Sequence, residues 1–462
     1  MGKLADMRVR LALLASCLTL ASALPAAAQD ADPRIERVVA QVSPDRLKAI
    51  VEKLASFGTR HTLSSQTDPA RGIGAAAQWI HDQLVAASPR LQVAFDDYEI
   101  PAQGDRILRD VRIRNVVAIL PGTSPRRVYV SGHYDSVARP ERPAAAPAPA
   151  SGSPRPASAN GGFDWANGDL PAPGANDDGS GTAVAMEAAR VLAQSGLEFD
   201  ATLVFVAFAG EEQGLIGAHL HAQKALAERV AIDAVFNNDI VGNSRGGNGI
   251  VDAESVRVFA EGPEDSGSRQ LARYIKRTAA RYVPSHTVRL IARHDRFGRG
   301  GDHTAFNQRG YTGVRFSEAN EDYSRQHLVA DTPDGVDPVY LARNTRVNIA
   351  GVAALAIAPA APVVTTERGA PMLDRNPSGY DARLRWKASA GAAGYRIFWR
   401  DAGAGEWQFE RHVGNVTEIV LPDVSIDDHV FGVAAVGPAG HESLVAAYVN
   451  PPRGKVEIRT KQ

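Results

Sequence analysis

Residues 202–208 read Thr-Leu-Val-Phe-Val-Ala-Phe, a run of strand length that is apolar at successive positions. Such a strand has to be covered on both faces, and the neighbouring sequence supplies the cover. Ser43-Pro44-Asp45 places Pro at a first helical position, and Leu47, Ile50, Val51 and Leu54 follow at helical spacing. Ile73, Ala76, Ala77, Ile80 and Leu84 form a second amphipathic series, and a third helix is expected from Ser180 to about Gly196. Strand-like runs occupy 115–120, 128–130 and 234–236, and Glu211-Glu212 is expected to open another helix. Strands alternating with helices predict an α/β fold, a mixed, mostly parallel twisted sheet with helices on both faces.

Two stretches break this pattern. Residues 139–173 are rich in Pro, Ala, Gly and Ser and predict a long surface loop inserted in the α/β part. Beyond Pro359-Ala-Ala-Pro362 the period becomes two: Leu384 and Trp386, then Tyr395, Ile397 and Trp399, then Phe431, Val433 and Ala435. Residues 363–462 are therefore expected to form an all-β sandwich, leaving 29–362 as the α/β domain.

The first residues look like a processing signal. Lys3, Arg8 and Arg10 precede an apolar run, 11–24, and Ala26-Ala27-Ala28 offers a cleavage site. This predicts a signal peptide over 1–28 and an exported product, periplasmic or extracellular. The run is shorter than the ~20 residues that span a bilayer, so stable membrane insertion is not expected. Leu14-Ala15-Ser16-Cys17 also resembles a lipobox, but the apolar run continues past it. Cys17 is the single cysteine, so the mature chain would have no thiol ligand and no disulfide. Net charge is −1, without a basic block, which argues against nucleic acid as a partner.

Several polar motifs fall where a predicted strand has just ended, the place where α/β sheets bind ligands. They are His133-x-Asp135, Asn176-Asp177-Asp178-Gly179, Gly210-Glu211-Glu212-x-Gly214 and Asp239, with His327 further on. Singly each reads as a loop residue. Together, two histidines and several carboxylates suit zinc, which accepts mixed nitrogen and oxygen ligands. Asp177, in a glycine-rich turn, can give one oxygen to each of two metals. Asp135 shares a face with His133 in extended backbone, and is either a turn residue or the acceptor of an imidazole N–H. Neighbouring helical positions diverge by about 100°, so of Glu211 and Glu212 one can ligate while the other faces substrate.

These segments resemble the two-zinc aminopeptidases of peptidase clan MH, whose cores run G-H-x-D, A-x-D-D-x-x-S-G, E-E-x-G, D and H in this order; the likeness covers roughly residues 45–355. The resemblance implies two Zn2+ per chain. Asp177 would bridge them, His133 and Asp239 would complete one site, and Glu212 and His327 the other. It also implies Glu211 as general base to a metal-activated water, Asp135 as partner of His133, and a cis Asp177–Asp178 peptide bond. The expected activity is removal of N-terminal residues from a peptide or protein substrate. A carboxypeptidase with Arg293, Arg296 and Arg299 around a terminal carboxylate, a one-zinc glutaminyl cyclase and a non-catalytic binding protein on this scaffold are the alternatives. Where some members carry an oxyanion tyrosine, this chain offers Arg299, as an oxyanion or substrate contact or as a loop charge. Asp302 and His303 resemble a supporting element of the site. His219 and His221 are expected at the surface. The C-terminal segment resembles a fibronectin type III domain in which His429 stands at the corner tyrosine; nothing in it points to a partner.

Overall fold

The computed structural model describes residues 31–140, 162–377 and 379–450. The expected signal peptide and the middle of the 139–173 loop lie outside these residues.

The α/β part opens with helices α1 (Pro33–Ala40), α2 (Pro44–Ser56) and α3 (Gly72–Ala87), then strands β1 (Gln92–Ile100), β2 (Val111–Leu120) and β3 (Ser124–His133). Next come α4 (Gly179–Gln194), β4 (Ala201–Phe208), α5 (Ile216–Ala227), β5 (Ile232–Asn238), β6 (Ser255–Ala260), α6 (Gly267–Tyr282) and β7 (Thr287–Ile291). The short α7 (His303–Asn307), β8 (Gly313–Glu318) and α8 (Pro338–Ile357) complete it. One eight-stranded sheet runs β1-β2-β4-β3-β5-β8-β6-β7. Its centre, β4-β3-β5-β8, is parallel, with antiparallel pairings of β2 to β4 and of β8 to β6 on either side. The mixed sheet is as expected.

Strand β4 shows why the sheet needs two covers. Leu203, Phe205 and Ala207 point into the core shared with α1–α4, α6 and α8, whereas Val204, Val206 and Phe208 point into the smaller core under α5 and α7. Every alternate position is buried, so slipping by one residue would exchange the two sets. Glycine at 181 lets the start of α4 close on the end of β5: a Cβ there would stand 2.1 Å from the Asn238 carbonyl oxygen. That approach brings the loops after β3, before α4 and after β5 to one point.

The C-terminal part holds two antiparallel sheets. β9 (Leu373–Arg375), β10 (Asp381–Arg385) and β13 (Glu418–Ser425) form one, in the order β13-β10-β9. β11 (Gly394–Asp401), β12 (Phe409–Gly414), β14 (His429–Val436) and β15 (Ala446–Ala447) form the other, in the order β12-β11-β14-β15. Between them lie Leu384, Trp386, Tyr395, Ile397, Phe431 and Val433, the residues whose alternation marks the region in the sequence. Val363 already bridges to Lys387. His429 Nδ1 lies 2.9 Å from the Ser425 carbonyl, four residues upstream.

This sandwich is docked on α6. Trp407 Nε1 donates to Gln270 (3.1 Å), Arg273 Nε donates to the Gly405 carbonyl (2.8 Å), and Arg277 stacks over the Phe398 ring at 4.5 Å. Buried Arg400 pairs with both oxygens of Asp265, at 2.9 and 3.0 Å. Among the described residues no helix is long and apolar enough to cross a membrane.

Candidate metal centre

The parallel strands end at one edge, and the motif residues gather there. His133 is the last residue of β3, Asp239 follows β5, Asp178 caps α4 and Asp177 precedes it. Glu211 and Glu212 follow β4, but not on a helix as expected. They sit in a tight turn in which the amides of Gly214 and Leu215 both reach the Glu211 carbonyl at 2.8 Å, and α5 begins only at Ile216. Turn geometry, not helical rotation, separates the two acids. His327 comes from the loop after β8 with φ 55°, and Ile240, next to Asp239, has φ 60°. The left-handed region is costly for a β-branched residue, and such strain persists where surrounding structure imposes it. Here the imposing contacts are visible: the His327 carbonyl accepts the Arg139 amide (2.9 Å), and the Ile240 amide donates to Asp178 (3.2 Å).

Asp177 stands between the two histidines. Its Oδ1 is 3.3 Å from His133 Nε2, and its Oδ2 is 2.9 Å from His327 Nε2. Asp239 Oδ1 lies 3.9 Å from His133 Nε2, Glu212 Oε2 lies 3.4 Å from His327 Nε2, and Glu211 Oε2 lies 4.0 Å from His133 Nε2. Ligand atoms of Asp177, Glu212 and His327 fall within 4.8 Å of one another, and so do those of His133, Asp178 and Asp239. Asp178, however, is committed to backbone. Its carboxylate accepts the amides of His133 (3.0 Å), Gly181 (2.8 Å) and Ile240 (3.2 Å). Asp177 is the acid free to face both histidines. The Asp177–Asp178 peptide bond is cis.

Asp135 differs from its expected place. Its Oδ1 accepts the Glu211 amide and its Oδ2 the Glu212 amide, both at 3.1 Å. His133 Nδ1 is nearer the Asp135 carbonyl (3.1 Å) than its carboxylate (3.6 Å). Asp135 thus fixes the Glu211–Glu212 turn, and the imidazole rests on its backbone. Arg299 donates to Gln326 Oε1 (3.1 Å), whose Nε2 donates to Asp177 Oδ2 (3.1 Å). Arg296 is consumed by Asp295 and Glu321, and Arg293 lies over the exposed Phe297 ring. His221 is not a surface residue. It is half-buried on the far side of the sheet, 2.8 Å from Asp96 and 3.3 Å from the Tyr129 hydroxyl, while His219 meets Arg309. His303 contacts the His294 carbonyl, and buried Asp302 has no hydrogen-bond partner among the described residues.

Arg315 was not singled out from the sequence. Fully buried on β8, its guanidinium reaches Asp239 Oδ1 (2.8 Å) and Asp295 (3.2 Å). No spacing rule ties it to the motifs, since it arrives from a neighbouring strand.

Burial dominates the electrostatics. It pushes the Glu211 carboxyl up to about 8, with Asp239, Asp135 and Asp177 adding to the effect against His133. Glu212 is raised well above the usual carboxylate range by burial and by Asp177 and Glu211. Asp177 is held well below it, because the two histidines outweigh its burial. Glu212 Oε1 is buried without a hydrogen-bond partner among the described residues. So much negative charge, aimed inward from mixed oxygen and imidazole donors, fits divalent cations.

Fold and site together define a metal-dependent hydrolase of the α/β class. The model of Peptidase family M28 matches residues 115–352. A Pyricularia oryzae chain described as "Probable zinc metalloprotease" is 38% identical over 457 residues, covering 90% of this chain and 84% of that one. A Pyrenophora tritici-repentis chain of the same description is 36% identical over 450 residues, covering 89% and 96%. The fold is shared with the LapA aminopeptidase of Legionella pneumophila (TM-score 0.51, 18% identity, covering 70% of this chain and 74% of that one). It is shared also with the glutaminyl cyclase of Porphyromonas gingivalis (TM-score 0.50, 18% identity, 67% and 98%). The protein belongs to peptidase family M28 and is a zinc metalloprotease.

Proposed function

We propose that the protein is an exported aminopeptidase holding two zinc ions. His133, Asp177 and Asp239 would hold one, and Asp177, Glu212 and His327 the other. The observation that carries this reading is the placement of Asp177, whose two oxygens each face a different histidine. When bound, the zinc pair would supply a lowered water pKa and a Lewis acid for the scissile carbonyl. The chain's own residues do the rest. Glu211 ligates nothing in this scheme and holds its carboxylate beside the pair, where Oε2 can take a proton and return it to the leaving amine. Asp135 fixes that carboxylate by holding the amides of Glu211 and Glu212. Phe163, edge-on to His327 at 5.4 Å, and Trp165, stacked on Phe163 at 4.8 Å, wall the site from the far end of the loop.

Arg299 serves as support for Gln326 and Asp177 in this reading, and not as the oxyanion contact. A carboxypeptidase that reads the terminal carboxylate with Arg293, Arg296 and Arg299 is disfavoured, because Arg296 is neutralised by acids, Arg299 is turned to Gln326 and Arg293 lies over the Phe297 ring. The C-terminal part is read as a fibronectin type III-like sandwich, and the N-terminal segment as a signal peptide.

Aminoacyl p-nitroanilides, free and N-acetylated, test the activity, and metal analysis tests the stoichiometry. Cleavage of the free series alone with about two zinc per chain is the expected result. Cleavage of blocked substrates would reject the aminopeptidase, and one zinc with cyclisation of N-terminal glutamine would favour a cyclase.

A further inference from the structure

Space around the site is unequal. Beside Asp177, Ile240 and Gln326 it closes to a cavity of about 10 Å³, room for about one water. On the other side, beyond Glu212, the next residue, Gln213, lines a cleft of about 730 Å³ between the loop joining β1 to β2 and the start of α5. Ile100, Ile107, Ile216 and Leu220 give this cleft an apolar wall. Two hydrogen-bond donors of its wall each adjoin Glu212. Gln213, directly after Glu212, is 6% exposed; its Oε1 accepts the Thr62 hydroxyl, and its Nε2 has no partner among the described residues. Arg106 donates Nη1 to the Glu212 carbonyl (3.0 Å) and lies over the Trp165 ring at 5.0 Å, and the described residues show it in no ion pair.

A buried donor left without an acceptor costs about 1–3 kcal/mol, and a charged hydrogen bond is the strongest way to recover it. The cleft has three other groups that can carry charge, and Asp105, the exposed chain neighbour of Arg106, is the nearest of them in sequence. Glu99 is 3.7 Å from Arg112, His219 meets Arg309, and Asp105 is exposed.

Resting on the aminopeptidase reading, we infer that Arg106 and Gln213 form a carboxylate subsite for the residue that follows the scissile bond. A carboxylate seated there satisfies Gln213 Nε2 and the free edge of Arg106, while the residue's side chain lies on the apolar wall. The substrate class is peptides with a carboxylate one residue beyond the cut. That carboxylate is either the C-terminus of a dipeptide or the side chain of an acidic residue.

The test uses the zinc-loaded full chain and four substrates: Leu-Ala, Leu-Ala-amide, Leu-Asp-amide and Leu-Asn-amide. Leu-Ala exceeding its amide by tenfold or more in kcat/KM, mainly through KM, identifies the C-terminal carboxylate. Leu-Asp-amide exceeding Leu-Asn-amide by that factor identifies the acidic side chain. Arg106→Met keeps the stem on Trp165 and removes the charge, and Gln213→Glu keeps volume while repelling a carboxylate. Each should bring the favoured ratio down toward one, with circular dichroism and metal content matching the parent. L-alanine should inhibit the parent more strongly than alaninamide and lose that advantage in Arg106→Met. Equal rates for acid and amide in both pairs would overturn the subsite, even with leucine p-nitroanilide still cleaved. A preference that survives both substitutions would overturn the assignment to these residues. Failure to cleave any free aminoacyl substrate would instead reject the reading beneath it.

Discussion

Two regions of the molecule bury charge, and they do so in opposite ways. Where the sandwich meets α6, the buried guanidiniums lie against acids: Arg400 against Asp265, and Arg273 and Arg269 against Glu264. At the edge of the large sheet, acids outnumber bases. Asp177, Glu211, Glu212, Asp239 and Asp302 crowd around two histidines, and among the described residues Glu212 and Asp302 keep carboxylate oxygens without a hydrogen-bond partner. Matched charge is what a structural seam needs, because an unpaired buried ion costs several kcal/mol. Unmatched charge is tolerated only where something else completes it. The difference separates the part of the molecule that binds and reacts from the part that holds.

The largest expected effect comes from taking the completing charge away. Chelation should abolish hydrolysis and lower the thermal midpoint, and added zinc should restore both. If the midpoint is unmoved, the acids are satisfied without metal and the contrast fails. Next is Glu211→Gln, which should cut turnover about 10²–10⁴-fold with zinc content kept. Glu212→Gln should lose metal along with activity and recover partly in excess zinc. Reversed zinc analyses would exchange the two roles.

The seam should respond differently. Arg400→Ala leaves Asp265 with only Arg273, 3.7 Å away, and is expected to cost about 2–4 kcal/mol, less than a fully buried pair because Asp265 keeps some water. Urea unfolding with separate probes of sheet and sandwich measures it, and zinc content should not change. Deleting 363–462 spares every proposed ligand. The truncated chain should therefore bind zinc and turn over small substrates, yet melt earlier because the α6 face is uncovered. Loss of zinc from a folded truncate would mean that the two regions are not separable. The smallest effect is at His429. Replacing it with Phe removes one bond to the Ser425 carbonyl and should cost about 0.5–1.5 kcal/mol.

Legibility in the sequence followed the same division. The residues gathered at the sheet edge were readable because His133, Asp177, Glu211, Glu212 and Asp239 end or follow a strand or precede a helix, so short motifs carry their geometry, whereas His327 lies in a loop and was picked out by the resemblance. The sandwich was readable from strict alternation, as at Tyr395, Ile397 and Trp399. Residues that reach the site from elsewhere were not. Arg315 sits in a strand whose own pattern says nothing about Asp239, and Gln213 reads as an ordinary turn residue until Arg106 arrives from a hairpin 107 positions earlier. The helix expected at Glu211 begins only at Ile216, after a tight turn whose Glu211 and Glu212 amides are held by Asp135, a partner from another strand end.

One contact of the seam bears on how the chain comes to its final form. Asp32, the cap of the first helix, accepts from Arg34, meets the Tyr282 hydroxyl through its amide, and lies 3.0 Å from His441, 409 positions along. Such a clasp cannot fasten until the last strands have been synthesised. Until then the start of α1 is held by Arg34 and Tyr282 alone. Pairings this distant are slow to find. The native state should therefore mature in order, large sheet first and clasp last, with protease sensitivity near residue 32 disappearing as the final event.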